Sequence, residues 1–326
     1  MESRKVFFNG EFVDELDAKI SIYDSALMFG DMVFEMTRSF NKKQFKLEEH
    51  IDRLYNGIKI LRIPIQYTKE ELIEFCHKTM EINEPLFSDT DEHRLMINVS
   101  RGPLGIYSHL FENPQPSVII SDFPLKWTVS GLGNLFDGGI NGVITQQRAV
   151  SNHLIDPKIK NRSRIHYQMA NIETSLYKGE NNWPILLDDQ GFIAEGSGDN
   201  LFFVKNGVVI TPKGHNILRG ISRDYIFELC AELGIKCIEE DLTPYDAYTS
   251  DECFMTATPF CILPVSTINY LKLNSGDGKM GPITKILLNQ WSKNVGVDIA
   301  QQIKDFNGEF KINDNVPTPY SFKVKK

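Results

Sequence analysis

Nowhere in the sequence do apolar residues run on for the roughly 20 positions a membrane-spanning helix needs, so no such helix is expected. Cysteine is scarce: Cys76, Cys230, Cys237, Cys253 and Cys261 are an odd number, without CxxC or other metal-ligand spacing. That argues against a disulfide framework and a cysteine-held zinc, and a reducing, cytoplasmic compartment is expected. Positive charge is in deficit, 35 Lys and Arg against 43 Asp and Glu, for a formal net charge of −8. Nucleic acid is thereby set aside as the main partner, although a local basic pocket for a small anion is not. The opening residues, MESRKVFFNGEF, hold no apolar run ahead of a small-residue cleavage site, so no signal peptide is expected. Internal repeats and low-complexity segments are also missing.

What remains is 326 residues, 41% of them hydrophobic, enough for a substantial core in one large or two medium domains. "VFFNGEFV" reads as a hairpin turning at Asn9-Gly10. Ile51, Leu54, Tyr55, Ile58 and Leu61 fall on one helical face over residues 48 to 61, and Pro64 stops that helix. Thr68 with Glu71 forms a capping box for a following helix that presents Leu72, Ile73, Cys76 and Met80. "RLMINVSRG" and "SVIISDF" read as strands closing a first domain, residues 1–125. A glycine-richer stretch, 126–138, is expected to connect it to a second domain, 139–326. There, turn dipeptides Gln190-Gly191 and Asn206-Gly207 punctuate strand-like runs, and "ISRDYIFELCAELG" is a helix ended by Gly234. "ECFMTATPFCILPV" is strand, polar turn, strand. From about Asp305 the chain is polar and weakly periodic, a tail or an edge strand. The class is α+β, with antiparallel hairpins rather than regular βαβ alternation.

Against the acidic balance stands "DPKIKNRSR", residues 156–164, with Lys158, Lys160, Arg162 and Arg164 in nine positions. It could be a solvated loop, an anion site, or the setting of one reactive lysine. Three other segments could hold an anion or a ring. "LRGISRDYIFELC" sets Gly220, Ile221 and Ser222 at a helix start, where free N–H groups face any phosphate. Thr256-Ala257-Thr258 is a polar turn able to offer amides and hydroxyls, and Arg53 lies on an otherwise apolar helix face. Glu195, in "FIAEGSGDNLF", sits between a strand and a glycine turn, where a carboxylate can meet a ring nitrogen. Each segment also has an ordinary reading: a helix cap, a turn, a solvated arginine. Lysine, carboxylate and anion site together meet the needs of pyridoxal 5'-phosphate, whose aldehyde, ring nitrogen and phosphate require those three partners.

The blocks "FNGEFV", "DSALMFGDMVFEMTRSF", "HIDRLYNGIKILRI", "IKN", "AEGSGDNLFFVKNGVVITP", "LRGISRDYIFELCAELGI" and "DECFMTATPFCILPV" run through nearly the whole chain. In this order they resemble the class IV, fold-type IV, pyridoxal-phosphate aminotransferases, the family of branched-chain and D-amino acid aminotransferases and aminodeoxychorismate lyase. The resemblance implies a two-domain fold, a small α/β N-terminal domain and a larger one rich in antiparallel hairpins. It implies Lys160 as Schiff-base lysine and general acid/base, and Glu195 on the pyridine nitrogen. Leu218 would pack on the ring, with the phosphate held by Arg53, Ile221, Ser222, Ala257 and Thr258. Phe34, Arg38 and Arg94 would meet the substrate, an amino acid exchanging its amino group with a 2-oxo acid. The partners implied are these small molecules and a second copy of the chain in a homodimer, with no nucleic acid and no membrane. Arg38 and Arg94 can equally be read as members of ion pairs inside the small domain.

Three departures bear on the substrate. The tyrosine that branched-chain enzymes carry five residues after the lysine is replaced by Ile165. Pro259, which has no N–H, follows Thr258 in the carboxylate-binding turn. The Arg-x-His trap of D-amino acid enzymes is missing from "RGPLGIYSHL". Branched-chain-type transamination is the first expectation. A D-amino acid or R-selective amine transaminase, and a lyase of aminodeoxychorismate type releasing pyruvate, stand as alternatives.

Overall fold

The structure, a computed structural model, describes residues 3–273 and 279–310. Packing divides the chain into two compact units, Met1–Thr128 with Ile159–Ser163, and Val129–Lys158 with Arg164–Lys326.

In the first unit, β1 (Lys5–Phe8) and β2 (Glu11–Asp14) form the hairpin expected at Asn9-Gly10, both at positive φ, 51° and 102°. There follow α1 (Ser25–Phe29), β3 (Met32–Met36), β4 (Ser39–Phe40), β5 (Lys43–Gln44), α2 (Leu47–Leu61), α3 (Lys69–Asn83), β6 (His93–Ser100) and β7 (Val118–Pro124). The helix expected over 48–61 is α2, ended by Arg62 in the left-handed region two residues before Pro64. The Thr68–Glu71 capping box opens α3. Five strands make an antiparallel sheet in the order β2-β1-β7-β6-β3.

The sheet's alternation sorts its side chains onto two faces. Val33, Leu95, Ile97, Val99, Val118 and Ile120 join Leu47, Ile51, Leu54 and Ile58 of α2 and Leu72 and Cys76 of α3 in one buried core. Phe34, Met36, Met96 and Asn98 lie on the opposite face, since β3 and β6 pair as Phe34↔Asn98 and Met36↔Met96.

The stretch 126–138 holds two short helices, α4 (Lys126–Val129) and α5 (Leu135–Gly138). The second unit continues with β8 (Ile140–Ile144), α6 (Ile165–Ser175), β9 (Asn182–Ile185), β10 (Asn200–Lys205), β11 (Val208–Pro212), α7 (Ile221–Leu233), β12 (Cys237–Glu240), α8 (Pro244–Tyr248), β13 (Glu252–Ala257), β14 (Cys261–Ile268), β15 (Leu271–Lys272), α9 (Pro282–Val295) and α10 (Ile299–Asp305). Its sheet runs β12-β11-β10-β13-β14-β8-β9, with β15 on β14. The hairpins β10–β11 and β13–β14 are antiparallel, the first turning at Asn206-Gly207. Both flanks are parallel, β11 with β12 and β8 with β9, each pair linked through a helix, α7 and α6. The expected antiparallel hairpins form the sheet's middle, and parallel pairs, β14 with β8 among them, extend it on either side. Parallel neighbours need a crossover longer than a turn dipeptide, and that connection leaves no short signature. α7 ends at Gly234 in the left-handed region, as its sequence requires. Asp305, where a tail or edge strand was expected to begin, closes α10; residues 311–326 lie outside the described residues.

Candidate active site

The basic stretch resolves into four separate assignments. Lys158 pairs with Asp156 at 2.9 Å near the surface. Residues 160–162 run beside β3 like an added strand: Phe34 N donates to Lys160 O at 3.0 Å and Arg162 N to Met32 O at 3.0 Å. Lys160 thus sits on strand-held backbone, with Nζ 4.9 Å from the centre of the Phe34 ring. The Arg162 guanidinium lies 3.7 Å from the centre of that ring and donates to Asn98 Oδ1 at 2.7 and 3.1 Å. Arg164 belongs to the second unit and is taken up below.

Arg53 is fixed by a residue that the sequence reading does not single out. Alternation along β3 turns Glu35 away from Phe34 and toward α2. Its carboxylate accepts from Arg53 Nε at 2.6 Å, Arg53 Nη2 at 2.8 Å and His50 Nδ1 at 2.7 Å. Burial would raise the Glu35 pKa, but the Arg53 and His50 charges reverse this and hold it far below the usual carboxylate range. Burial depresses the His50 pKa, with Arg53 and Lys160 adding to the effect and Glu35 opposing it. A signal was present: an acid inside an apolar strand, and a His and an Arg three apart on the facing helix.

Phe34, Arg38 and Arg94 lie on the face of the first unit's sheet opposite its helices. Thr37 N donates to Leu95 O at 3.0 Å, so the β3–β6 register carried two residues past Met36 sets Arg38 opposite Arg94. Both arginines are buried. Arg38 lies 3.9 Å over the Phe40 ring and donates to Ser39 O, while Arg94 Nη2 reaches Met36 Sδ at 3.7 Å. Met36 and Met96 complete an apolar surface between these cations and Phe34.

In the second unit, the block "EGSGDN" is a tight turn: Glu195 and Asn200 bridge as strand partners, and Gly196 N donates to Asp199 O at 3.1 Å. It grips the block "LRGIS" at one residue. Glu195 Oε2 accepts from Leu218 N at 3.0 Å, and Asn200 Nδ2 donates to Leu218 O at 2.9 Å. Leu218 is only half-buried, and its backbone N–H and C=O carry these contacts. The contact also explains Gly220, where a Cβ would stand 2.1 Å from Asn200 Oδ1. α7 then starts with no side-chain cap on Gly220, so the N–H groups of its first turn, with Ile221 and buried Ser222, are left to an outside acceptor. Beside Asn200 in the sheet is Thr256, followed by Ala257 and Thr258 at the β13–β14 turn. The Thr256 hydroxyl is buried without a hydrogen-bond partner among the described residues.

Two further residues of this group were not anticipated. Tyr167 donates its hydroxyl to Glu195 Oε1 at 2.5 Å. Arg164 lies 4.5 Å over the Tyr167 ring and donates to Ser197 O at 2.8 Å, so both reach the "EGSGDN" turn. Ile165, at the position where the resemblance expects a tyrosine, is 73% exposed. Burial, and then Glu195, raise the Tyr167 pKa well above that of a free phenol. Burial, and then Glu195, also push the carboxyl of Asp199 up to about 8.

These residues fit pyridoxal 5'-phosphate by the chemistry of their donors. There is a lysine on rigid backbone and a buried carboxylate with donors on both oxygens. An uncapped helix start beside an unpartnered buried hydroxyl suits a phosphate.

The family model described as "Amino-transferase class IV" matches residues 32–268. A protein of Methanocaldococcus jannaschii named "Putative branched-chain-amino-acid aminotransferase" is 38% identical over 285 residues, covering 87% of this chain and 93% of that protein. The D-alanine aminotransferase of Listeria monocytogenes is 30% identical over 295 residues, covering 86% and 92%. Among solved structures, the branched-chain aminotransferase of the thermophilic archaeon Thermoproteus uzoniensis, crystallised with norvaline, superposes with a TM-score of 0.78 at 28% identity. The match covers 90% of this chain and 96% of that one.

Proposed function

The chain belongs to the class IV aminotransferases, a pyridoxal-phosphate-dependent family of fold-type IV enzymes, and from that premise we propose the residues and the substrate of its transamination. Lys160 carries the cofactor and serves as general acid/base, with Glu195 facing the ring nitrogen. Leu218 lines the ring, and Arg53, Ile221, Ser222, Ala257 and Thr258 hold the phosphate. The bound cofactor supplies an electron sink that makes the substrate's Cα–H acidic. Lys160 takes that proton from Cα and returns it one carbon away, a transfer that needs an amine whose backbone does not wander. Glu195 keeps the ring proton by remaining anionic. Arg53 is held in a fixed orientation by Glu35, and the start of α7 offers its dipole and free N–H groups.

For the substrate, the observation that carries the reading is the face shared by Phe34, Met36 and Met96 with Arg38 and Arg94. An apolar wall beside two cations suits an amino acid with a hydrocarbon side chain and a 2-oxo acid, the branched-chain type. Against the branched-chain type stands Pro259, which cannot donate an N–H where those enzymes have a small residue. A homodimer is supported by the apolar surface of the first unit. Ile22, Leu27 and Phe29 are 69%, 63% and 69% exposed, and Ile106 of the segment Gly105–Leu110 is 73% exposed. Tyr23 and Tyr107 tie these segments together, with ring centres 4.6 Å apart. A patch of this kind is ordinarily covered. The five cysteines are all free, in keeping with a cytoplasmic location, and no described helix is long and apolar enough to cross a membrane.

The test is to load the protein with the cofactor, reduce it with borohydride and map the labelled peptide. Label on Lys160 is expected, and label elsewhere overturns the assignment. Titrating the loaded protein with L- and D-forms of leucine, valine and alanine then reads the substrate. Loss of the cofactor's visible absorbance with L-leucine and not D-alanine is expected. The reverse result installs the D-amino acid reading.

A further inference from the structure

We propose that Tyr167 is a positioning residue for the ring-nitrogen contact: its hydroxyl donates to Glu195 Oε1, Arg164 holds the phenol in place, and together they keep Glu195 anionic and aimed. The inference rests on the aminotransferase reading above and adds a component to that site.

A carboxylate that is 4% exposed tends to take up a proton unless donors stabilise its charge. Were Glu195 protonated, it could no longer accept from a ring N–H, and the electron sink would weaken. Each oxygen of Glu195 has a donor. Leu218 N is backbone and comes with the fold, while the Tyr167 hydroxyl is a side-chain choice. The phenol is suited to permanent donation, because burial and the adjacent carboxylate both oppose its ionisation. The neighbouring carboxyl, Asp199, is pushed up by burial and then by the charge of Glu195.

Arg164 makes the arrangement rigid. One guanidinium lies over the Tyr167 ring and donates to Ser197 O, within the turn that begins at Glu195. Donor ring and acceptor turn are thereby held by the same side chain. Arg164 sits at the N-terminal boundary of α6 and Tyr167 in its first turn, while exposed Ile165 between them takes no part. The last cation of the basic stretch thus acts on the geometry of an acid far along the chain.

The experiment compares the cofactor-loaded wild type with Tyr167→Phe, which keeps the ring under Arg164 and removes only the hydroxyl. Loss of one hydrogen bond to a charged acceptor predicts a kcat lower by roughly ten- to a hundred-fold, with KM changed less than about three-fold. The decisive readout is reconstitution with a cofactor analogue whose ring nitrogen is replaced by carbon. There Glu195 has no ring proton to hold, and wild type and Tyr167→Phe should turn over within about two-fold of each other. A Glu195→Gln background should likewise absorb most of the effect of Tyr167→Phe. A purely structural tyrosine would lower activity equally with either cofactor and in either background, which refutes the proposal. An effect that disappears instead with the analogue lacking the ring hydroxyl also refutes it, since Tyr167 would then touch the ring itself. Unchanged kinetics in a loaded Tyr167→Phe protein removes the role of Tyr167 alone. Failure of the wild type to take up the cofactor at Lys160 removes the aminotransferase site and this inference with it.

Discussion

Replacing Asp199 by asparagine should stabilise the protein at neutral and alkaline pH, although it alters a buried residue next to the proposed cofactor acid. Asp199 is 8% exposed, and one of its oxygens, Oδ1, has no hydrogen-bond partner among the described residues. Its carboxyl is held from the ordinary 3.8 up to about 8, first by burial and then by the charge of Glu195. Below pH 4 the folded and unfolded chains both carry the Asp199 proton, and the group costs nothing. Between pH 4 and 8 the unfolded chain releases it while the folded chain retains it, so stability falls as pH rises. The slope is about 1.4 kcal/mol per pH unit, which over three units reaches about 4 kcal/mol. Water entry and relaxation around the carboxyl bring the expected cost at pH 7 to about 2–4 kcal/mol. Above pH 8 both states are ionised and the cost is constant. Asparagine has nearly the same shape and no such slope. Urea unfolding of wild type and Asp199→Asn, without added cofactor, should give curves of stability against pH that converge near pH 4. By pH 8 they should separate in favour of the variant. Every other titrating group is common to the two proteins, so the difference isolates Asp199. Parallel curves, or a variant that is weaker throughout, would refute the account of a strained, proton-bearing carboxyl.

Glu35→Gln removes the charge that orients Arg53 and His50, and breaking such a buried pair should cost about 3–5 kcal/mol in urea unfolding. Because the folded pKa of Glu35 is depressed, its contribution is present above about pH 4 and is lost as the pH falls below that, so the two proteins should approach each other in acid. Gly220→Ala places a Cβ 2.1 Å from Asn200 Oδ1 and should cost about 1–3 kcal/mol by overpacking. It should also weaken cofactor binding measured by absorbance, as the start of α7 shifts; normal stability and affinity would mean the loop has room to spare.

Features written into consecutive residues were legible in the sequence. Asn9-Gly10 announced its hairpin, Thr68 and Glu71 their capping box, and Gly234 the end of α7, because each depends on a few neighbouring dihedrals. The blocks around Glu195 and Leu218 stand out by themselves, but not the reason they accompany each other. The clamp on the Leu218 backbone closes only when the 195–200 turn meets a loop some twenty residues further on. Glu35 is inconspicuous inside the apolar run "VFEM", since its partners lie on a helix that begins about a dozen residues after it. Spacing from Lys160 points to position 165 as the place of a ring contact. The helical start at Ile165 turns that residue outward and brings Tyr167 inward instead, a change of register that no count along the chain reveals. α9 is similarly hidden: the carboxylate that caps it, Glu252, accepts from Ile283 N and Thr284 N across some thirty residues of sequence.

Residues 159–163 pack with the first unit although the chain before and after them belongs to the second. No single scissile point, then, separates two complete modules. A fragment ending at Thr128 would keep β3 but lose the segment that hydrogen-bonds along Met32–Phe34, and with it the amine at position 160. Shuffling the N-terminal part of this chain for that of a relative would require three junctions rather than one. The interleaving ties the inheritance of the proposed substrate-facing strand to that of the lysine beside it, so the two are expected to change together or not at all.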